Sequence, residues 1–151
     1  MDLHVLPSAD ARDFRPDRPS YGIRIASPAY PGDIVTLNES PLWVHVADYF
    51  FSDTWPQMMA AGKRLGLDQT REVLFTDEMA DGLVLEFDRY RAHCEALVVN
   101  CTRGINRSPA VAIALNEAFE LGHDTTSLKN QYKESNWHVY RKVLEAGRRI
   151  I

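Results

Sequence analysis

A chain of 151 residues has room for one well-covered core and not for two, so a single domain is expected. Hydrophobic residues make up 45% and charged residues 25%, which excludes a disordered or fibrous chain and fits a globular one. A net charge of −4 excludes a general nucleic-acid binder, which needs an extended basic face, yet leaves room for a small local positive site.

Cys94 and Cys101 are too few for a disulfide framework, and neither they nor the scattered histidines show zinc-ligand spacing. No metal or cofactor is expected. The opening residues, MDLHVLPSADARDFRPD, lack the basic and apolar regions of a signal peptide, and no run approaches the roughly 20 apolar residues of a membrane span. A cytoplasmic location is expected, where a free thiol persists.

In chain order, residues 1–20 are rich in Asp, Arg and Pro and read as an irregular lead-in. Residues 21–151 read as one domain without repeats or linkers. YGIRIAS (21–27) alternates like a strand, PAYPGD (28–33) is turn chemistry, and IVTL (34–37) fits a short strand. PLWVHVAD (41–48) is a strand with Leu42, Val44 and Val46 on one face and Trp43 and His45 on the other. A short helix is expected near 56–65, ended by Gly66. Residues 75–94 read as a helix with Thr76 as N-cap and Met79, Leu83, Phe87 and Tyr90 at helical spacing.

ALVVN (96–100), apolar up to its closing Asn100, fits a strand buried on both faces. A helix follows over 108–122, with Pro109 in its first turn and Gly122 as a stop. Two more helices are expected over 126–134 and 137–149, the second capped by Asn136. Strands alternating with helices predict an α/β fold, a mostly parallel central sheet flanked by helices.

Between the buried strand and its helix lies CTRGINRS, residues 101–108. A helix N-terminus presents unpaired N–H groups, and a loop wrapped around it aims more of them inward, forming an anion cradle. Gly104 at the apex allows a backbone angle closed to other residues. Thr102, Arg103, Gly104, Ile105 and Asn106 would supply amides, and Arg107 a planar fork for two phosphate oxygens. A thiol at the base of this positive loop, with Ser108 able to bond its sulfur, is favoured as thiolate, the nucleophilic form. Cys94, on a helix without such neighbours, reads as a small packing residue.

CTRGINRS resembles the phosphate-binding loop of cysteine-dependent protein phosphatases: cysteine, five residues, arginine, serine. The central glycine and the following PAVAIAL resemble the dual-specificity branch and its small bacterial and phage-type relatives. The resemblance is strong over about 74–120 and weaker over 21–50 and 136–147. It implies a cysteinyl-phosphate intermediate on Cys101, with Arg107 and the loop amides holding the equatorial oxygens. Ser108 would aid thiolate release, an aspartic acid would protonate the leaving oxygen, and no metal would take part.

The family's acid lies in a loop after an earlier strand. Asp48 directly follows WVHVA and is the first choice, with Asp53 five residues on as the alternative. Asp68 and Asp77 are lesser candidates, Asp77 being placed in a helix's first turn. Tyr49 and Phe50 would line the pocket mouth. Asn100 stands where the family usually has histidine; it can donate a hydrogen bond but carries no charge, which lowers the expected activity. Arg103 adds charge at the mouth.

The expectation is a monomeric phosphomonoester hydrolase acting on phosphotyrosine, phosphoserine or phosphothreonine in proteins. The alternatives are a catalytically weak phosphate-binding interaction module, or a phosphatase for a phosphoinositide or an RNA 5′ phosphate. No nucleic-acid groove and no membrane segment are expected.

Overall fold

Leu97, Val98 and Val99 have almost no exposed surface, because β4 (Ala96–Cys101) lies inside the sheet with both of its faces covered. Each such side chain contributes about 1.5–3 kcal/mol on leaving water, which makes this strand the centre of the fold. The computed structural model describes residues 1–151. It forms a four-stranded, all-parallel sheet in the order β1 (Asp2–Pro7), β4, β2 (Ser20–Ala26), β3 (Trp43–Phe50). The chain is therefore α/β, a parallel central sheet flanked by helices, as the strand–helix alternation predicts.

Three helices cover one face: α3 (Asp77–Tyr90), α4 (Arg107–Phe119) and α6 (Trp137–Ile150). Tyr21, Ile23, Ile25, Ala47, Leu97, Val99 and Cys101 point into this core, joined by Leu83 and Phe87 of α3 and by Val139 and Val143 of α6. α4 is buried nearly all round, so its apolar run needs no polar stripe. The opposite face is covered by the short α1 (Ser8–Asp13) and the 27–42 segment. There Phe14 packs on His4 and Trp43, and Trp43 Nε1 donates to Asn38 O at 3.0 Å. α2 (Pro56–Arg64) and α5 (Thr125–Gln131) complete the chain order.

Caps act where the sequence places them. Thr76 Oγ1 accepts from Met79 N at 3.2 Å at the start of α3, and Asn136 Oδ1 accepts from Val139 N at 3.2 Å at the start of α6.

Three sequence expectations give way. Residues 1–20 are not an irregular lead-in: β1 pairs in register with β4 from Asp2↔Ala96 to Pro7↔Cys101, and α1 follows. Only Leu3 and Val5 of this edge strand turn toward the core, so its apolar signal is weak; pairing to β4 supplies the rest. Residues 34–37 form no strand and follow a short 3₁₀ turn at Pro31–Asp33. In β3 the register jumps between Ser20↔Trp43 and Tyr21↔His45, a bulge that places one extra residue at Val44. Trp43 then packs toward Gly22 on the α1 side, while His45 stacks on Tyr90 of α3 at 4.1 Å, so these two aromatics lie on opposite faces rather than one.

Candidate functional site

All four strands end at one edge of the sheet, the carboxyl edge where open α/β sheets bind their ligands. The loop from Cys101 to Arg107 sits there and is tied to each neighbour. Directly after β1, Ser8 N donates to Thr102 O at 3.3 Å. After β2 comes Ser27, whose Oγ accepts from Arg107 Nη1 at 3.0 Å. After β3 comes Phe51, whose carbonyl accepts from the same Nη1 at 2.8 Å.

Gly104 has φ of +71°, the left-handed conformation expected at the apex. A second constraint acts there: a Cβ at this position would lie 2.5 Å from Pro7 N and 2.7 Å from Leu6 C. The loop thus rests directly on the backbone of β1.

Cys101 is 2% exposed at the base of the loop. Its sulfur lies 3.1 Å from Ser108 Oγ and accepts from Ser108 N at 3.4 Å, so the first turn of α4 is aimed at it. The backbone N–H groups of Thr102, Arg103, Gly104, Ile105 and Asn106 donate to no acceptor within the protein. That leaves five consecutive free amides at the N-terminus of α4, donors of the kind an anion site uses.

Arg107 is 6% exposed and has no carboxylate partner. Its Nη1 is used by Ser27 and Phe51, and its buried Nε has no partner at all. The Nε–Nη2 edge of a guanidinium is one of its two-point donor edges. Holding a cation out of water without a counter-charge costs several kcal/mol, roughly, unless an anion supplies the missing partner.

Asp48, the first choice for the acid, lies elsewhere. Its carboxylate accepts from Arg24 Nε at 2.6 Å and from Arg24 Nη2 at 2.8 Å. Arg24 pairs in register with both Asp48 and Asn100, and neighbouring residues of parallel strands point to the same side. Asp48 therefore shares the Asn100 face of the sheet, and Cys101 the opposite one. The same alternation carries Asn100 away from the sulfur; its Nδ2 donates to Ile23 O at 3.4 Å.

Asp53, the alternative, sits in the loop between β3 and α2 and is exposed. Its Oδ1 accepts from Asn136 Nδ2 at 3.0 Å. Asn136 also donates from Nδ2 to Thr54 O at 3.1 Å and from its backbone to Asn106 O at 2.9 Å. One buried asparagine thereby joins the Asp53 loop, the 101–107 loop and α6.

The remaining candidates stand apart. Asp77 pairs with Lys142 at 2.8 Å, which holds its carboxyl below the usual range. Asp68 accepts from Thr70 N at 3.0 Å in an exposed turn. Tyr49 does not line the mouth: its hydroxyl donates to Glu86 of α3 at 2.7 Å, and burial raises its phenol well above the ordinary value. Arg103 is exposed and makes no ion pair. Cys94 is half-buried, and burial pushes its thiol up.

Sequence reasoning missed Ser27 and the Leu6–Pro7 backbone, and saw Asn136 only as a helix cap. The S-x-W start of α6 carried no signal for contacts made across the fold.

No protein-family model, curated protein or solved structure matches this chain.

Proposed function

We propose that this protein hydrolyses phosphomonoesters through a phosphocysteine on Cys101. The observation that carries the reading is Arg107, a buried guanidinium with no carboxylate, its Nε unpartnered, at the end of a loop that begins with the buried Cys101 thiol and carries five free amides. Such a loop fits a dianionic tetrahedral group with the sulfur beneath it.

The Cys101 thiolate attacks phosphorus, an S–P bond forms and the bond to the leaving oxygen breaks. Arg107 and the amides of residues 102–106 neutralise the equatorial oxygens, where transition-state charge collects. Asp53 gives its proton to the leaving oxygen. Water then attacks the phosphocysteine, Asp53 takes its proton, and inorganic phosphate leaves. Ser108, through Oγ and N–H, stabilises the departing thiolate. Positive charge comes from arginine and backbone dipoles, so the scheme uses no metal.

The reading keeps the substrate as a phosphorylated protein. Asn100 favours one competing view, a weakly active phosphate-binding module, since its amide bonds Ile23 O and gives the loop no charge. Turnover of an aryl phosphate separates the two. The expected result is hydrolysis that vanadate inhibits, EDTA spares and Cys101→Ser abolishes. Phosphate binding without turnover in the wild type would favour the module, and turnover surviving Cys101→Ser would refute the mechanism.

A further inference from the structure

On one side of Asp53, α2 and the chain that follows it form a groove of about 410 Å³. Its apolar lining includes Met58, Leu65 and Leu67, which are 47%, 76% and 62% exposed, an unusual cluster for a surface. Its polar lining includes three carboxylates, Asp53, Asp68 and Glu72, and no lysine, arginine or histidine, although Arg71 lies outside the lining within electrostatic reach of Asp68. The groove is built rather than incidental: Gln69 Nε2 donates to Met59 O at 2.9 Å and ties the following turn to α2. On the other side of the Asp53 loop, the cleft lined by Trp55, Trp137 and Arg141 contains no carboxylate. The two flanks of the candidate acid thus differ in charge.

We infer that the acidic groove takes the segment next to the phosphorylated residue of a protein substrate, one carrying an aliphatic side chain and a lysine or arginine. The inference rests on the phosphatase reading and deepens it to a substrate class. Asp53 belongs both to the groove and, through Asn136, to the hydrogen-bond network of the 101–107 loop, which puts the groove within reach of a chain whose phosphate occupies that loop. An aliphatic side chain fills the apolar floor, and a cation meets the carboxylates at the rim. Asp68 and Glu72, the two carboxylates that stay charged while Asp53 holds its proton, repel a nucleic-acid strand or a phosphoinositide headgroup, whose neighbouring charges are negative. A polypeptide is the polymer that can place a cation beside a phosphate.

The test uses Cys101→Ser protein and fluorescence anisotropy with four labelled peptides. Two sequences share a tyrosine and a leucine, one flanked by arginine and the other by glutamate, each with and without phosphate on the tyrosine. The arginine phosphopeptide is expected to bind about fivefold tighter than the glutamate one, the size that two or three rim charges produce at low salt. In Asp68→Lys/Glu72→Lys protein the preference should vanish or turn toward the glutamate phosphopeptide, since like charges now face the arginine. Equal affinities in the unaltered groove, or a preference that survives the double substitution, would overturn the inference. Tighter binding of a 5′-phosphorylated RNA oligonucleotide than of the arginine phosphopeptide would overturn it too. Phosphate dependence is read separately: if phosphate adds nothing in either sequence, the phosphatase reading fails, while the arginine–glutamate contrast still reports on the groove.

Discussion

Asn136 Nδ2 donates to Asp53 Oδ1 at 3.0 Å, across 83 residues of sequence. The same side chain caps α6 through Val139 N, and its backbone N–H holds Asn106 O. The candidate acid, the 101–107 loop and the last helix are therefore fastened at one buried residue. Asn136→Ala removes the cap and both side-chain donations, which should cost about 2 kcal/mol of stability. It should also lower kcat roughly tenfold to a hundredfold on substrates with poor leaving groups, because the acid is no longer held in place. Urea denaturation and a leaving-group series measure the two effects; an unchanged leaving-group dependence would remove Asn136 from the positioning of Asp53.

The two aspartates part company under mutation. Asp53→Asn should slow phosphotyrosine hydrolysis by roughly a hundredfold or more, and a substrate with a low-pKa phenol much less. Asp48→Asn should leave that pattern intact and instead lower stability by about 1 kcal/mol, since it dissolves a two-point pair with Arg24. Rates across leaving groups, with melting curves alongside, decide between them. The reverse pattern would return the acid to Asp48.

Arg107→Lys should lose on the order of a hundredfold or more in turnover although the charge is kept. An ammonium has no planar edge to offer two oxygens, and it cannot at once reach Ser27 Oγ, Phe51 O and the ligand. Steady-state kinetics and vanadate inhibition test this; near-normal rates would remove Arg107 from transition-state binding.

Gly104→Ala meets two obstacles, a φ of +71° and the Leu6–Pro7 backbone at under 3 Å. It should cost roughly 1–3 kcal/mol and weaken oxyanion binding, because the loop must lift from β1. Thermal melts with and without vanadate read both, and a fully stable variant with normal vanadate affinity would contradict the packing of the loop on β1.

Much of the fold was legible locally. The run 96–100 is apolar at every position but the last because β4 is covered on both faces, and Thr76 and Asn136 cap helices through contacts only three residues long. CTRGINRS is as local: cysteine, glycine, arginine and serine lie within eight residues, so the candidate site can be proposed before any folding is known.

What tertiary structure alone decided depends on pairing between distant strands. β1 draws its stability from register with β4, which its own composition does not announce. The bulge at Val44 re-aims Trp43 and His45 because one extra residue shifts the side-chain alternation. The acid shows this most sharply. The sequence ranks Asp48 ahead of Asp53, five residues on, yet Asp48 lies inside β3 and Asp53 in the loop after it. Only the pleat of the sheet turns Asp48 toward Arg24 on the face opposite Cys101, and only the packing of α6 brings Asn136 to Asp53 beside the phosphate loop.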